Sequence, residues 1–316
     1  MIRKDVIIVG GGPAGLTAGL YGARAFMDVL LIRSGMPVCQ ATMTNDIENY
    51  PGFPEGIGGP ELVQKMEDQA RRFGLEISED GVESIIQAEE CFVLKTGKAS
   101  YQARTVVIAT GAVPRPLEVK GEAKFRGRGV SYCATCDGRF FTDLPIAVVG
   151  GGDAAVKEAI YLTRFASKIY LVHRRQGFRA EPVTVRQAAE NPKIEFVLDT
   201  VLTEIQGGNL VESVNVRNVV TGEEKQIAVE GVFIFTGIQP NSELVSQLVE
   251  TDDRGFILTN PDMSTSCPGI YAAGDVCRKS LRQIVTAVSD GAVAIDAIEK
   301  YLSESDIPSH TVTAKA

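Results

Sequence analysis

The chain has 316 residues, which at roughly 150 residues per domain predicts about two domains with sizeable cores. Hydrophobic residues make up 44% and charged residues 23%, the balance of an ordinary globular protein. A net charge of −8 argues against a general nucleic-acid or anionic-membrane binder, both of which want a basic surface. Two histidines, His173 and His310, argue against an imidazole-built metal centre. No apolar run is long enough to span a membrane. The run after Arg3 and Lys4 is too short for a secretory signal, so a cytoplasmic protein is expected. The six cysteines (Cys39, Cys91, Cys133, Cys136, Cys267, Cys277) are too sparse for a disulfide framework, and any that pair should do so for chemistry.

In chain order, Asp5 to Val9 reads as a buried strand ending in Gly10-Gly11-Gly12-Pro13-Ala14-Gly15. Leu16 to Phe26 reads as a helix and Val29 to Ile32 as a second buried strand. That strand, glycine turn, helix, strand order is the context in which G-x-G-x-x-G means dinucleotide binding. Glycines admit the tight turn and let backbone N–H groups approach a pyrophosphate at a helix N-terminus. One element is off pattern: Arg33 stands where an acidic residue would hold the ribose. Residues 78–101 read as short strands of this first unit, and Val106 to Ile108 as a buried strand ending in Ala109-Thr110-Gly111.

Pro145 to Val149, the turn Gly150-Gly151-Gly152-Asp153-Ala154-Ala155, a helix from Ala154 to Phe165 and a strand from Lys168 to Val172 repeat the whole unit. The repetition predicts two dinucleotide sites. The second strand ends in His173-Arg174-Arg175 with Arg179 beyond, and guanidinium forks there suit the 2′-phosphate of NADP. A solvated basic loop is the plainer alternative. Residues 198–232 alternate in strand-like runs with turns at Gly207-Gly208 and Thr221-Gly222. Gly269 to Val276 reads as a strand and a turn carrying Asp275, whose carboxylate can accept from polyol hydroxyls. Residues 303–316 are polar and expected to fray.

Cys133-Ala134-Thr135-Cys136 is the single C-x-x-C. Without a second close pair or histidines, zinc is disfavoured, and a redox-active dithiol is preferred over two inert core cysteines. Asp137 follows and can shuttle a proton, or simply make a turn before Gly138.

With these motifs the chain resembles the low-molecular-weight, bacterial-type thioredoxin reductases over essentially its whole length. The resemblance is carried by Gly10 to Gly15, Glu48 to Gly52, Ala109 to Gly111, Gly127 to Gly138, Gly150 to Ala155, His173 to Arg179, and Ala273 to Val276 followed by Arg282 and Gln283. It implies an α/β fold of two three-layer Rossmann-like domains, the NADPH domain (114–242) inserted into a discontinuous FAD domain (1–113 and 243–316). It implies a homodimer acting on thioredoxin, with domain rotation about hinges near Pro114, Pro116 and Pro240.

On this resemblance FAD is held by Gly10, Gly12, Pro13, Ala14, Gly15, Gln40, Asn49, Thr110, Gly111, Gly274, Asp275, Arg282 and Gln283. NADPH is held by Gly150, Gly152, Asp153, Ala154, His173, Arg174, Arg175 and Arg179. Cys136 faces the flavin, Cys133 attacks the partner disulfide and Asp137 is the acid/base. Two departures stand out: Val38-Cys39-Gln40 replaces a Gly-Gly-Gln, putting an extra thiol near the cofactor, and Arg33 replaces the acid. Phe140 and Phe141, with Arg126 and Arg128, are either a partner-docking patch or core packing. A flavin-dependent small-molecule dithiol oxidase and a non-catalytic nucleotide- or redox-sensing flavoprotein are the alternatives.

Overall fold

The computed structural model describes residues 2–34, 39–43, 47–89 and 91–305. Val38, His310 and the tail beyond 305 lie outside the described residues. The chain divides into two compact units, Met1–Val113 with Gln239–Ala316, and Pro114–Ile238. The return crossing thus falls slightly before the expected 242/243.

In chain order the first unit opens with β1 (Ile2–Val9), α1 (Pro13–Arg24) and β2 (Val29–Arg33). Next come α2 (Gly59–Arg72), β3 (Glu76–Glu79), β4 (Val82–Gln87), β5 (Phe92–Thr96), β6 (Ser100–Ile108) and the crossing strand β7 (Ala112–Pro114). The second unit holds α3 (Glu122–Phe125), β8 (Val130–Ser131), α4 (Ala134–Asp137), β9 (Pro145–Val149), α5 (Asp153–Leu162) and β10 (Lys168–Val172). It continues through α6 (Pro182–Glu190), β11 (Ile194–Val197), β12 (Thr200–Gln206), β13 (Ser213–Asn218), β14 (Glu224–Ala228) and β15 (Gly231–Ile234) to the return strand β16 (Ile238–Pro240). β17 (Ile270–Ala272) and α7 (Ile284–Ser305) complete the first unit.

The first unit's sheet has the order β3-β2-β1-β6-β5-β4, with β17 also on β6. Both partners share one edge of β6: β5 pairs antiparallel with residues 100–103 and β17 parallel with residues 106–108. Val6, Ile7 and Ile8 are fully buried, as a parallel strand covered on both faces requires. Each such side chain contributes about 1.5–3 kcal/mol of burial. The second unit has a sheet ordered β11-β10-β9-β15-β8 and a separate antiparallel sheet β12-β13-β14. Both main sheets place a glycine turn and a helix N-terminus at the carboxyl end of a central strand, where ligands of open α/β sheets bind.

Observed helices start close to the glycine turns: α1 at Pro13 rather than Leu16, and α5 at Asp153 rather than Ala154. α5 stops at Leu162, short of the expected Phe165, in a turn whose N–H groups reach back to Ile160, Tyr161 and Leu162. Residues 303–305, expected to fray, continue α7, where Leu302 is buried on the helix's apolar side. No helix among the described residues is long and apolar enough to cross a membrane.

Candidate dinucleotide and disulfide sites

In the first unit the glycine turn is imposed by close approach. Gly10 has φ +119°, and a Cβ there would lie 2.2 Å from the Ala109 carbonyl oxygen. A Cβ on Gly15 would lie 2.0 Å from the Gly10 carbonyl oxygen, so α1 packs hard onto the strand end. Gly12 caps α1 with no side-chain hydrogen bond and Pro13 follows, leaving the first-turn N–H groups for an anion.

α7 locks the second half of this site to the first. A Cβ on Gly291 would sit 2.2 Å from the Ala14 carbonyl oxygen. One residue earlier, Asp290 Oδ2 accepts from the Gly274 N–H at 2.8 Å and from Lys279 Nζ. Gly274 and Asp275 therefore stand beside the start of α1, in a 3-10 turn spanning Gly274–Val276. Asp275 Oδ1 is buried without a hydrogen-bond partner among the described residues. Burial pushes its carboxyl above the ordinary range. A buried acceptor next to an anion-ready helix start fits a polyol-bearing dinucleotide such as FAD.

The other predicted residues of this unit take supporting positions. Arg282 donates to the carbonyl oxygens of Asp275, Cys277 and Lys279 and lies 4.2 Å from the Phe256 ring centroid. Asn49 Nδ2 donates to Gln283 Oε1 at 3.0 Å. Thr110 donates to the Asn241 carbonyl oxygen, and Asn241 bonds back to Gly111 and Thr110. Asn241 is not expected from sequence; its two partners precede the inserted residues 114–238 along the chain. Gln40 opens a 3-10 turn, Gln40–Met43.

Of the departures, Arg33 donates to Glu79 and Glu67 at 2.5–2.8 Å and is largely enclosed. Its charge is thus spent on carboxylates from α2 and β3. Cys39 Cβ lies 3.3 Å from where a Gly12 Cβ would stand, and burial pushes its thiol up, which keeps it protonated and a weak nucleophile.

In the second unit Gly150 has φ +154°, and a Cβ there would meet the Phe235 carbonyl oxygen at 2.5 Å. A Cβ on Gly152 would meet nothing within 4 Å, and α5 lacks a side-chain cap. This open, uncapped cradle fits a pyrophosphate. Asp153 Oδ1 accepts from the Glu181 N–H at 2.9 Å, and the Arg179 N–H donates to Gly151 at 2.8 Å, so the basic loop is pinned to the glycine turn.

Arg174, Arg175 and Arg179 are exposed. His173 is buried instead, its ring against Gly151 and stacked on Phe178 with centroids 5.2 Å apart. Burial holds it below its ordinary pKa, and the three arginines push the same way. His173 supports the turn from beneath as a neutral ring.

Cys133 and Cys136 form a disulfide around the first turn of α4, with Cα atoms 5.3 Å apart. The Cys136 N–H donates to Cys133 Sγ at 3.2 Å, an arrangement that favours thiolate at Cys133 after reduction. Asp137 is partly buried, and burial raises its carboxyl while the Ser131 hydroxyl lowers it.

Two supports come from residues sequence reading missed. Ser131 bonds Asp137, and Tyr132 donates to buried Glu122 at 2.6 Å. Glu122 also accepts from the N–H groups of Leu117 and Glu118. Phe141 packs into the core, its ring 5.1 Å from Phe233, whereas Phe140 is 46% exposed. Core packing therefore holds for Phe141, while Phe140 lies at the surface.

Residues 4–291 match the model of the family described as pyridine nucleotide-disulphide oxidoreductase. The chain is 46% identical over 301 residues to a thioredoxin reductase of Bacillus subtilis, covering 95% of each chain. A thioredoxin reductase structure from Streptococcus pyogenes superposes with TM-score 0.92 at 48% identity, covering 96% of this chain and 99% of that one. The thioredoxin reductase from Giardia duodenalis superposes with TM-score 0.91 at 35% identity, covering 96% and 100%.

Proposed function

The chain belongs to the pyridine nucleotide-disulphide oxidoreductase family, and on that premise we propose that it is an NADPH-dependent thioredoxin-disulfide reductase. The observation that carries this reading is the Cys133–Cys136 disulfide, with Asp137 beside it, in the unit that also bears the Gly150 turn and the Arg174, Arg175 and Arg179 loop. FAD bound in the first unit would supply the two-electron chemistry that links NADPH oxidation to reduction of that disulfide.

Backbone N–H groups at the start of α1 hold the FAD pyrophosphate, with Gly10, Gly12, Pro13, Ala14 and Gly15 shaping the approach. Asp275 accepts from a ribityl hydroxyl. Gln40, Asn49, Thr110, Gly111, Gly274, Arg282 and Gln283 line or brace the same site. Gly150, Gly152, Asp153 and Ala154 hold the NADPH pyrophosphate, His173 braces them, and the three arginines grip the 2′-phosphate.

After reduction, the Cys133 thiolate attacks one sulfur of the thioredoxin disulfide. A mixed disulfide forms and the second thioredoxin sulfur leaves as thiolate. The Cys136 thiolate then attacks Cys133, reforming the internal disulfide and releasing the first sulfur. Asp137 gives a proton to a departing thiolate and regains it from a thiol.

A cytoplasmic homodimer without nucleic-acid partners completes the reading; the net charge of −8 supports the last point. A dithiol oxidase is less well supported, since the exposed arginines suit NADPH and the named relatives are thioredoxin reductases. The test is NADPH-dependent thiol release from oxidised thioredoxin by the FAD-loaded protein. Release no faster than in its absence would reject the reading.

A further inference from the structure

Ser131 closes β8 and is buried, 5% exposed, yet its hydroxyl has three polar neighbours. Asp137 Oδ2 lies at 2.6 Å, the Cys133 carbonyl oxygen at 3.2 Å and the Cys133 N–H nitrogen at 3.0 Å. The Cys133 N–H can only donate, so it occupies one lone pair of the hydroxyl oxygen. One hydroxyl proton is then left for two acceptors. While Asp137 is ionised, the nearer carboxylate takes that proton, because a charged acceptor makes the stronger bond. Once Asp137 is protonated, its own O–H donates to Ser131 Oγ, and the serine proton turns to the Cys133 carbonyl.

We infer that Ser131 is a positioning residue of the disulfide centre: its hydroxyl holds the Asp137 carboxyl against the cysteine loop and exchanges donor for acceptor when that carboxyl gains a proton. The exchange links the protonation of Asp137 to the backbone of Cys133 on both its N–H and its carbonyl side. No other group among the described residues bonds the Asp137 carboxyl, so this hydroxyl is its one fixed reference. The ionisable residues on elements packed against α4 are Asp153, Lys157, Glu158 and Tyr161 of α5 and Arg139 of the following turn. None of them sets the Asp137 ionisation, which burial raises and Ser131 lowers.

The inference rests on Asp137 as the acid/base, and two readouts on the holoenzyme separate them. The first is a carboxyl-carbon NMR titration of Asp137, assigned by its disappearance in Asp137→Asn. Ser131→Ala loses a stronger bond to the charged form and a weaker one to the protonated form, so its midpoint should move up by roughly one pH unit. Ser131→Thr, which keeps the hydroxyl, should restore it. An unmoved midpoint in Ser131→Ala would overturn the inference.

The second readout is the pH profile of thioredoxin reduction. Its alkaline limb should shift upward in Ser131→Ala by the same interval, and Ser131→Ala should add little in an Asp137→Asn background. Equal loss at every pH, without displacement, would reduce Ser131 to a merely structural part and overturn the inference as well. If Asp137→Asn reduces thioredoxin at the parent rate, the acid/base reading falls, while the NMR midpoint still judges the hydrogen-bond exchange.

Discussion

Asp275→Asn separates the cost of a buried carboxylate from its use. The buried Oδ1 has no partner among the described residues, and burial raises the group's pKa. The native state thus binds a proton more readily than the unfolded chain, and stability falls as pH rises from the ordinary carboxylate value near 3.9 through the raised native value. Asparagine keeps the shape and an acceptor but cannot ionise. The apoprotein of Asp275→Asn should therefore melt above the parent apoprotein at pH 7, with the gain vanishing below about pH 4.

FAD affinity should move the other way. A hydrogen bond to a charged acceptor contributes about 1.5–3 kcal/mol and a neutral one about 0.5–1.5. The difference of about 1–1.5 kcal/mol is roughly a 5- to 12-fold rise in Kd. Titrating FAD into each apoprotein and following flavin fluorescence reads this directly. An unchanged Kd, together with an apoprotein no more stable at pH 7, would refute the assignment of Asp275 to the cofactor.

Other perturbations follow from the same geometry. Gly291→Ala forces a methyl to within 2.2 Å of the Ala14 carbonyl oxygen; overpacking should cost about 1–3 kcal/mol, seen as a lower Tm and weaker FAD retention. Replacing Arg174 and Arg175 together by alanine should raise KM for NADPH at least about tenfold more than KM for NADH, given charge-assisted bonds of about 1.5–3 kcal/mol. An equal rise would contradict the 2′-phosphate reading. Cys133→Ser should abolish thioredoxin reduction while stopped-flow absorbance still shows NADPH bleaching the flavin; retained turnover would reassign the nucleophile. Asp137→Asn should raise Tm at neutral pH but not below about pH 4, because burial raises this carboxyl too and stability is lost as such a group ionises.

What was readable in the sequence was local chemistry. Gly10 to Gly15 and Gly150 to Ala155 run from the end of a buried strand into the first turn of a helix in both places, and Cys133 and Cys136 lie within one turn of each other. Spacing alone carries those features. The parts missed depend on partners distant along the chain.

Asp290 and Gly291 act on Gly274 and Ala14 through α7, a helix whose interior glycine lowers its helical signal. α2 is not among the elements expected from sequence: it begins with Gly59 and Pro60 and is recognisable only by the amphipathic face beyond them. Arg33 stands where an acid would hold the ribose, Glu67 and Glu79 claim it, and nothing in the strand itself shows those carboxylates arriving. The sequence places His173 with the arginines of the phosphate loop; its packing against Gly151 and Phe178 is visible only once the loop turns back.

On the proposed function, one chain passes electrons from NADPH through its bound flavin to the Cys133–Cys136 disulfide and on to thioredoxin. Anaerobic titration of the FAD-loaded protein with NADPH, followed by oxidised thioredoxin, tests it in one cuvette. Flavin absorbance should fall with NADPH and return on adding thioredoxin, with NADH far less effective. Flavin that stays oxidised with NADPH, or stays bleached when thioredoxin is added, would contradict that function.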